Sequence, residues 1–277
     1  MNTKHCLNCE HNLDIGQKFC SQCGQEAHVH RFTLTHFFHE VFHAFTHADK
    51  GIFYLLKELF IRPGIVAKEY IAGKRKKYFS PFTFFLILAA FYVLSDGLSS
   101  TVKKDDQTTL IKIAEIPDPE KRQEATIIYH RAMKSQQFFV KNGNILAMIA
   151  VPFFSFYFWL IYYRKKYNYS EHLVANLMFI SFANLAFTLL VHPLRALLKE
   201  TSWVAFAPLL GLLLQLIYFV IAYKDFVDLK GPRAIFKVIM VTLIGLLLWA
   251  FLTQIASAIY VYQSLNFMDY FKHMGRR

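Results

Sequence analysis

The chain has 277 residues, 55% of them hydrophobic and 17% aromatic, and only 18% charged. Soluble domains carry about 25% charged residues, so this composition excludes an ordinary soluble enzyme, and four cysteines are too few for a disulfide-built secreted scaffold. A net charge of +12 suits either anionic lipid or nucleic acid and does not choose between them. The expectation is an all-α integral membrane protein, with about five transmembrane helices, a small N-terminal zinc ribbon and amphipathic interfacial helices.

Residues 1–27 are the ribbon. No apolar run of signal length opens the chain, so the N-terminus is expected in the cytosol. Cys6-x2-Cys9 and Cys20-x2-Cys23 have the spacing by which two tight turns bring four thiolates to one Zn²⁺. Gly24 follows the second pair, where a knuckle turn favours a residue without Cβ. So short a segment buries no core, and metal binding supplies its folding free energy. A closed four-cysteine site leaves no open position for catalysis, which points to a structural or docking role. Lys4 and Lys18 are the only basic residues of the first 30, against Glu10, Asp14 and Glu26, so nucleic acid is not the expected partner.

Residues 28–79 form a histidine-rich and juxtamembrane region. His36, His39, His43 and His47 fall with Glu40 within an arc of about 100° on a helix. Phe37, Phe38, Val41, Phe42 and Phe45 take the opposite face. Two readings compete: an interfacial helix with its phenylalanines in lipid, or a second metal site on the imidazole stripe. His39-Glu40-Val41-Phe42-His43 also spells H-E-x-x-H, in which two histidines bind zinc and Glu40 acts as general base. Beyond it, Ile52–Phe60 reads as a short amphipathic helix, Arg62-Pro63-Gly64 as a turn, and Ile65–Ile71 as a second helix ended by Gly73. Lys74, Arg75, Lys76 and Lys77 then abut the first span, as a topology signal and a binding patch for anionic headgroups.

The cysteine head and histidine-rich helix, followed by Asp49-Lys50-Gly51, Arg62-Pro63-Gly64, Glu69-Tyr70, Gly73-Lys74-Arg75 and Pro81, resemble an uncharacterised bacterial family. Its members are zinc-ribbon-headed multi-span membrane proteins, catalogued as a domain of unknown function. The resemblance covers residues 1–95 and implies a bacterial inner-membrane location; it carries no activity, cofactor or catalytic residue. On span count alone the chain is also similar to the five-span Yip family.

The membrane domain is expected over residues 80–262. Uncharged stretches place spans at about 80–98, 143–163, 173–191, 203–223 and 236–260. His192-Pro193 is expected to close the third. With the N-terminus inside, the inner segments hold Lys74–Lys77, Arg164, Lys165, Lys166, Lys224, Lys230 and Arg233, and the C-terminal tail at 263–277 is outside. The outer loop at 99–142 should hold a helix over 120–140. No charged residue falls in mid-span, which counts against an ion-coupled transporter. Asn176, Asn184, Gln215 and Gln254 are expected to hydrogen-bond between helices. Three functions follow: a non-enzymatic scaffold or regulator whose ribbon docks a cytosolic protein or folds onto its own chain, a metalloenzyme using the His-rich helix, and a transporter or lipid-handling protein. The closed thiolate site and charge-free spans favour the first.

Overall fold

The computed structural model describes residues 5–29, 31, 33–34, 51–99, 107–163, 166–198 and 201–263. Its α-helices are α1 (Ile52–Ile61), α2 (Pro63–Ile71), α3 (Pro81–Ser99), α4 (Gln107–Ala114), α5 (Pro119–Lys141), α6 (Gly143–Ile161), α7 (Tyr169–Leu197), α8 (Phe206–Phe226) and α9 (Pro232–Tyr262). Each expected span falls on a helix. Three of them, α7, α8 and α9, are long and apolar enough to cross a membrane, whereas the apolar stretch of α6, Ile145–Ile161, is shorter. The chain divides into two compact units, one of Met1–Tyr92 with Ala147–Gly245 and another of Val93–Leu146 with Leu246–Arg277.

Capping explains where the helices begin. Asp118 accepts from the Glu120 and Lys121 N–H groups, Pro119 takes the first helical position, and α5 starts there. Asn168 and Glu171 form a reciprocal capping box, so α7 begins at Tyr169, earlier than the charge-free stretch indicates. Its other end also differs from expectation: α7 continues through His192-Pro193 to Leu197. Proline removes one hydrogen bond, but in an apolar setting the backbone groups beyond it have no better partner than the helix.

In the first unit α2 packs between α7 and α8. Aromatic rings fill the junction of α6, α7 and α8. The Phe158 and Tyr223 ring centroids are 3.7 Å apart, and His172 stacks on the same tyrosine. Asn176 donates to Tyr223 Oη at 2.7 Å and to Ser155 Oγ at 3.2 Å, joining α7 to α8 and α6 as expected of an intramembrane amide. Gly211 has no room for a side chain, because a Cβ would lie 2.4 Å from the Phe187 ring. In the second unit α5 lies along the end of α9. Ser135 Oγ and Ser257 Oγ are 2.7 Å apart, and Arg131 donates to the Val261 carbonyl at 3.5 Å.

Gly64 corrects the reading of Arg62-Pro63-Gly64 as a glycine turn. Arg62 alone breaks the helix, Pro63 opens α2, and Gly64 is helical. Glycine is required there by contact: a Cβ would lie 2.3 Å from the Ala222 carbonyl oxygen and 2.5 Å from the Phe226 nitrogen. The turn glycine of this segment is Gly73, with φ +113°.

Candidate metal centre

The two Cys-x2-Cys turns fold as near copies. In the first, Cys6 N–H donates to the His11 carbonyl at 2.8 Å and Glu10 N–H to the Cys6 carbonyl at 2.9 Å. In the second, Cys20 N–H donates to the Gln25 carbonyl at 2.8 Å and Gly24 N–H to the Cys20 carbonyl at 2.9 Å. An antiparallel bridge closes each turn, His5 with Asn12 and Phe19 with Glu26.

The turns bring all four sulfurs within 4.8 Å of one another. Cys6 and Cys23 Sγ are 3.6 Å apart, as are Cys9 and Cys20 Sγ. A tetrahedron of thiolates about 2.3 Å from a metal has edges of about 3.8 Å. The spacing therefore fits one tetrahedral ion and is far too long for S–S bonds. Desolvation opposes ionisation of Cys23, but the Gln25 N–H and the Asn8 side chain outweigh it and bring the thiol down to about 7. At Cys9 the His11 N–H lowers the pKa, yet desolvation and the other three thiols push it up to about 12. Four thiolates so close together need a cation.

The near-copy relation exposes a residue that sequence reading missed. Glu10 stands where Gly24 stands in the other turn, with φ 63° against 70°. A residue with a Cβ is strained there by about 1 kcal/mol. Glu10→Gly should therefore tighten metal binding by about fivefold, read by competition with a chelator.

The head rests on the chain's own juxtamembrane turn. Gln25, 2% exposed, accepts from the Lys76 backbone N–H through Oε1 at 3.0 Å. Leu7 and Val29 cover Gly73, where a Cβ would lie 2.9 Å and 3.2 Å from their side chains. Just past the cysteine head, Arg31 grips Glu171 of the α7 capping box with two bonds, of 2.7 and 2.9 Å, and donates to the Lys166 carbonyl at 2.7 Å. Gln25, Arg31 and Glu171 were not singled out from sequence. The Asn168-x2-Glu171 capping pattern was the available signal for the last of them.

Lys74, Arg75, Lys76 and Lys77 form the turn under the cysteine head, and Lys74 and Lys77 face a carboxylate of the chain itself. Glu69 accepts from Lys77 Nζ at 2.7 Å and from Tyr78 Oη, and lies 3.5 Å from Lys74 Nζ and 3.6 Å from Arg62. The basic cluster is thus partly neutralised by a carboxylate of its own chain. Burial alone would raise the Glu69 carboxyl, but Lys77 and Tyr78, with the charge of Lys74, hold it down at about 2. A depressed carboxyl stabilises the fold fully above its ordinary pKa and loses that contribution as pH falls through the folded value. Glu69→Gln should therefore cost about 2 kcal/mol at neutral pH after allowance for partial exposure. The gap to the parent should close between about pH 5 and pH 2, as followed by thermal unfolding in detergent.

His36, His39, Glu40, His43 and His47 lie outside the described residues. Among the described residues the four cysteines are the one cluster of potential metal ligands. A family model described as a protein of unknown function (DUF3667) matches residues 49–93. That stretch holds α1, α2, the Gly73–Lys77 turn on which the cysteine head rests, and the start of α3. No curated protein and no solved structure matches the chain.

Proposed function

We propose that this is a non-enzymatic scaffold or regulator of the bacterial inner membrane, in which a zinc ribbon clasps the cytosolic ends of the membrane helices. The carrying observation is the ribbon's seat on its own Gly73–Lys77 turn, through buried Gln25 and the Leu7–Val29 cover. Four thiolates in a tetrahedron suit zinc, and the closed set serves structure better than catalysis. Five spans follow if α3 and α6 cross as well, with the N-terminus in the cytosol and the C-terminus outside. Arg31 pairs with Glu171, and Lys68 with Asp228 at 2.5 Å. These pairs join segments that the charge rule puts on one side of the membrane. Lys76, the exposed member of the basic turn, is the residue left for anionic headgroups.

Limited trypsin digestion in lipid nanodiscs tests the clasp. The zinc-loaded protein should resist cleavage after Lys76, and a chelator that strips the metal should expose the site. If stripping zinc leaves that rate unchanged, the ribbon holds nothing.

A further inference from the structure

Sequence reading lays the two short helices before the first span on the membrane surface. The contacts of α1 and α2 do not fit that picture. The Phe60 ring, near the end of α1, is 6.5 Å from the ring of Phe182. Phe182 lies 13 residues from Tyr169 and 15 from Leu197, the two ends of α7. At about 1.5 Å per residue that is roughly 20 Å from each end. The middle of a crossing helix lies in hydrocarbon whatever its boundaries. Phe182 also stacks at 5.0 Å on Tyr218, itself 8 residues inside the Phe226 end of α8.

The chain returns along α2. Gly64 touches the backbone of Ala222 and Phe226, inside the end of α8. Four residues later Lys68 reaches Asp228, beyond that end. At the other end of α1, Gly51 lies against Phe79, just before α3. So the path runs inward from Gly51 to Phe60, breaks at Arg62 and runs outward from Gly64 to Lys68. We propose that α1 and α2 form a re-entrant hairpin that enters the cytosolic leaflet against α7 and α8 and presents the outer face of α1 to lipid acyl chains.

The side chains of α1 suit that setting. Leu55 and Leu59 are buried on the protein side, while Phe53 is 81% exposed, Phe60 77% and Ile61 60%. Charge on that exposed face is confined to Lys57, one turn from Phe53, and its long stem carries the ammonium to the headgroup level while its methylenes stay in lipid. Continuity names the occupant: Phe60 adjoins the middle of α7, a helix long and apolar enough to cross a bilayer.

The break is built for low dielectric. Pro63 brings no N–H. Arg62 N–H donates to the Glu58 carbonyl at 2.8 Å, and the Ile65 and Val66 N–H groups donate to the Arg62 carbonyl at 3.1 Å. The Arg62 guanidinium pairs with Glu58 and reaches Tyr78 Oη at 3.4 Å and Glu69 at 3.6 Å. It therefore carries its charge back towards the start of α3, as a snorkelling arginine does.

Bromolipid quenching of the full chain in vesicles tests the hairpin. Trp159, Trp203 and Trp249 are replaced by Phe, and Phe53→Trp or Phe60→Trp is added as the sole probe. The tryptophan at 60 should lose more fluorescence to bromines deep in the acyl chain. The one at 53 should lose more to shallow bromines, and aqueous iodide should quench neither strongly. Iodide quenching at 60 would place α1 in water, and equal shallow quenching at both positions would lay it flat on the surface. No quenching by either reagent would mean a protein cover, from a second copy or from residues 35–50. Each of these three results overturns the proposal. Hydrogen exchange of the unsubstituted protein in nanodiscs gives a reading free of substitutions. The amides of Arg62, Ile65 and Val66 should exchange slowly, and fast exchange overturns the hairpin as well.

Discussion

Gly64→Ala should lower the stability of the protein by about 2–4 kcal/mol, a large share of the 5–15 kcal/mol that holds a typical domain together. The new methyl group would sit 2.3 Å from the Ala222 oxygen, 2.5 Å from the Phe226 nitrogen and 2.7 Å from Asp225 Cβ. Two of these are backbone atoms at the end of a helix and cannot swing aside like the tip of a side chain. The helix α2 would have to back away from α8, and the Lys68–Asp228 pair and the Arg62 contacts would go with it. The sign of the effect is diagnostic. Alanine is a better helix former than glycine by about 1 kcal/mol, so a loosely packed Gly64 would give a stabilised variant. Gly231→Ala is the control: φ there is +87° but no atom lies within 4 Å of an added Cβ. It should cost about 1 kcal/mol through backbone strain alone. Thermal unfolding in detergent decides the matter, and a Gly64→Ala protein that melts at or above the parent would refute the close approach.

Position 64 also shows which features a sequence makes legible. Arg62-Pro63-Gly64 looks like a turn because proline and glycine are turn residues, yet the same two residues serve as a helix start and a contact without Cβ. Local chemistry reads well: the Cys-x2-Cys turns, the helix expected over 120–140 and the five apolar stretches all fall on matching elements. Each depends on residues within one turn or one period of each other. Features built from distant segments do not read. Gln25 meets Lys76 across 51 positions and Arg31 meets Glu171 across 140. Nothing in the spacing of those residues announces a partner. Charge counting does not show internal pairing either: Glu69 lies 3.5 Å from Lys74 Nζ and 2.7 Å from Lys77 Nζ. Glu10 was hidden for a different reason, since its left-handed backbone shows only when the two knuckles are laid over each other.

The metal binding and docking proposed for the cysteine head should come apart in two variants. Cys20→Ser removes a buried thiol of the cluster and should take the zinc content from the proposed single equivalent to none. Structural zinc contributes on the order of 10 kcal/mol to so small a fold, which no other interaction in the head can replace. Gln25→Ala leaves all four thiols in place and should keep the metal. What it removes is the acceptor for the Lys76 N–H, at a cost of about 1–3 kcal/mol for a polar group left without its partner. Elemental analysis of Gln25→Ala should therefore match the parent, while trypsin should cleave after Lys76 faster by about tenfold or more. Cys20→Ser should show the same fast cleavage with no metal. On the proposed reading the metal folds the cysteine head, the folded head presents Gln25, and Gln25 holds the turn. A Gln25→Ala protein with full zinc and parental resistance would leave the Leu7–Val29 cover of Gly73 as the whole grip. In that case Gly73→Leu, which fills that space, should free the turn without loss of metal.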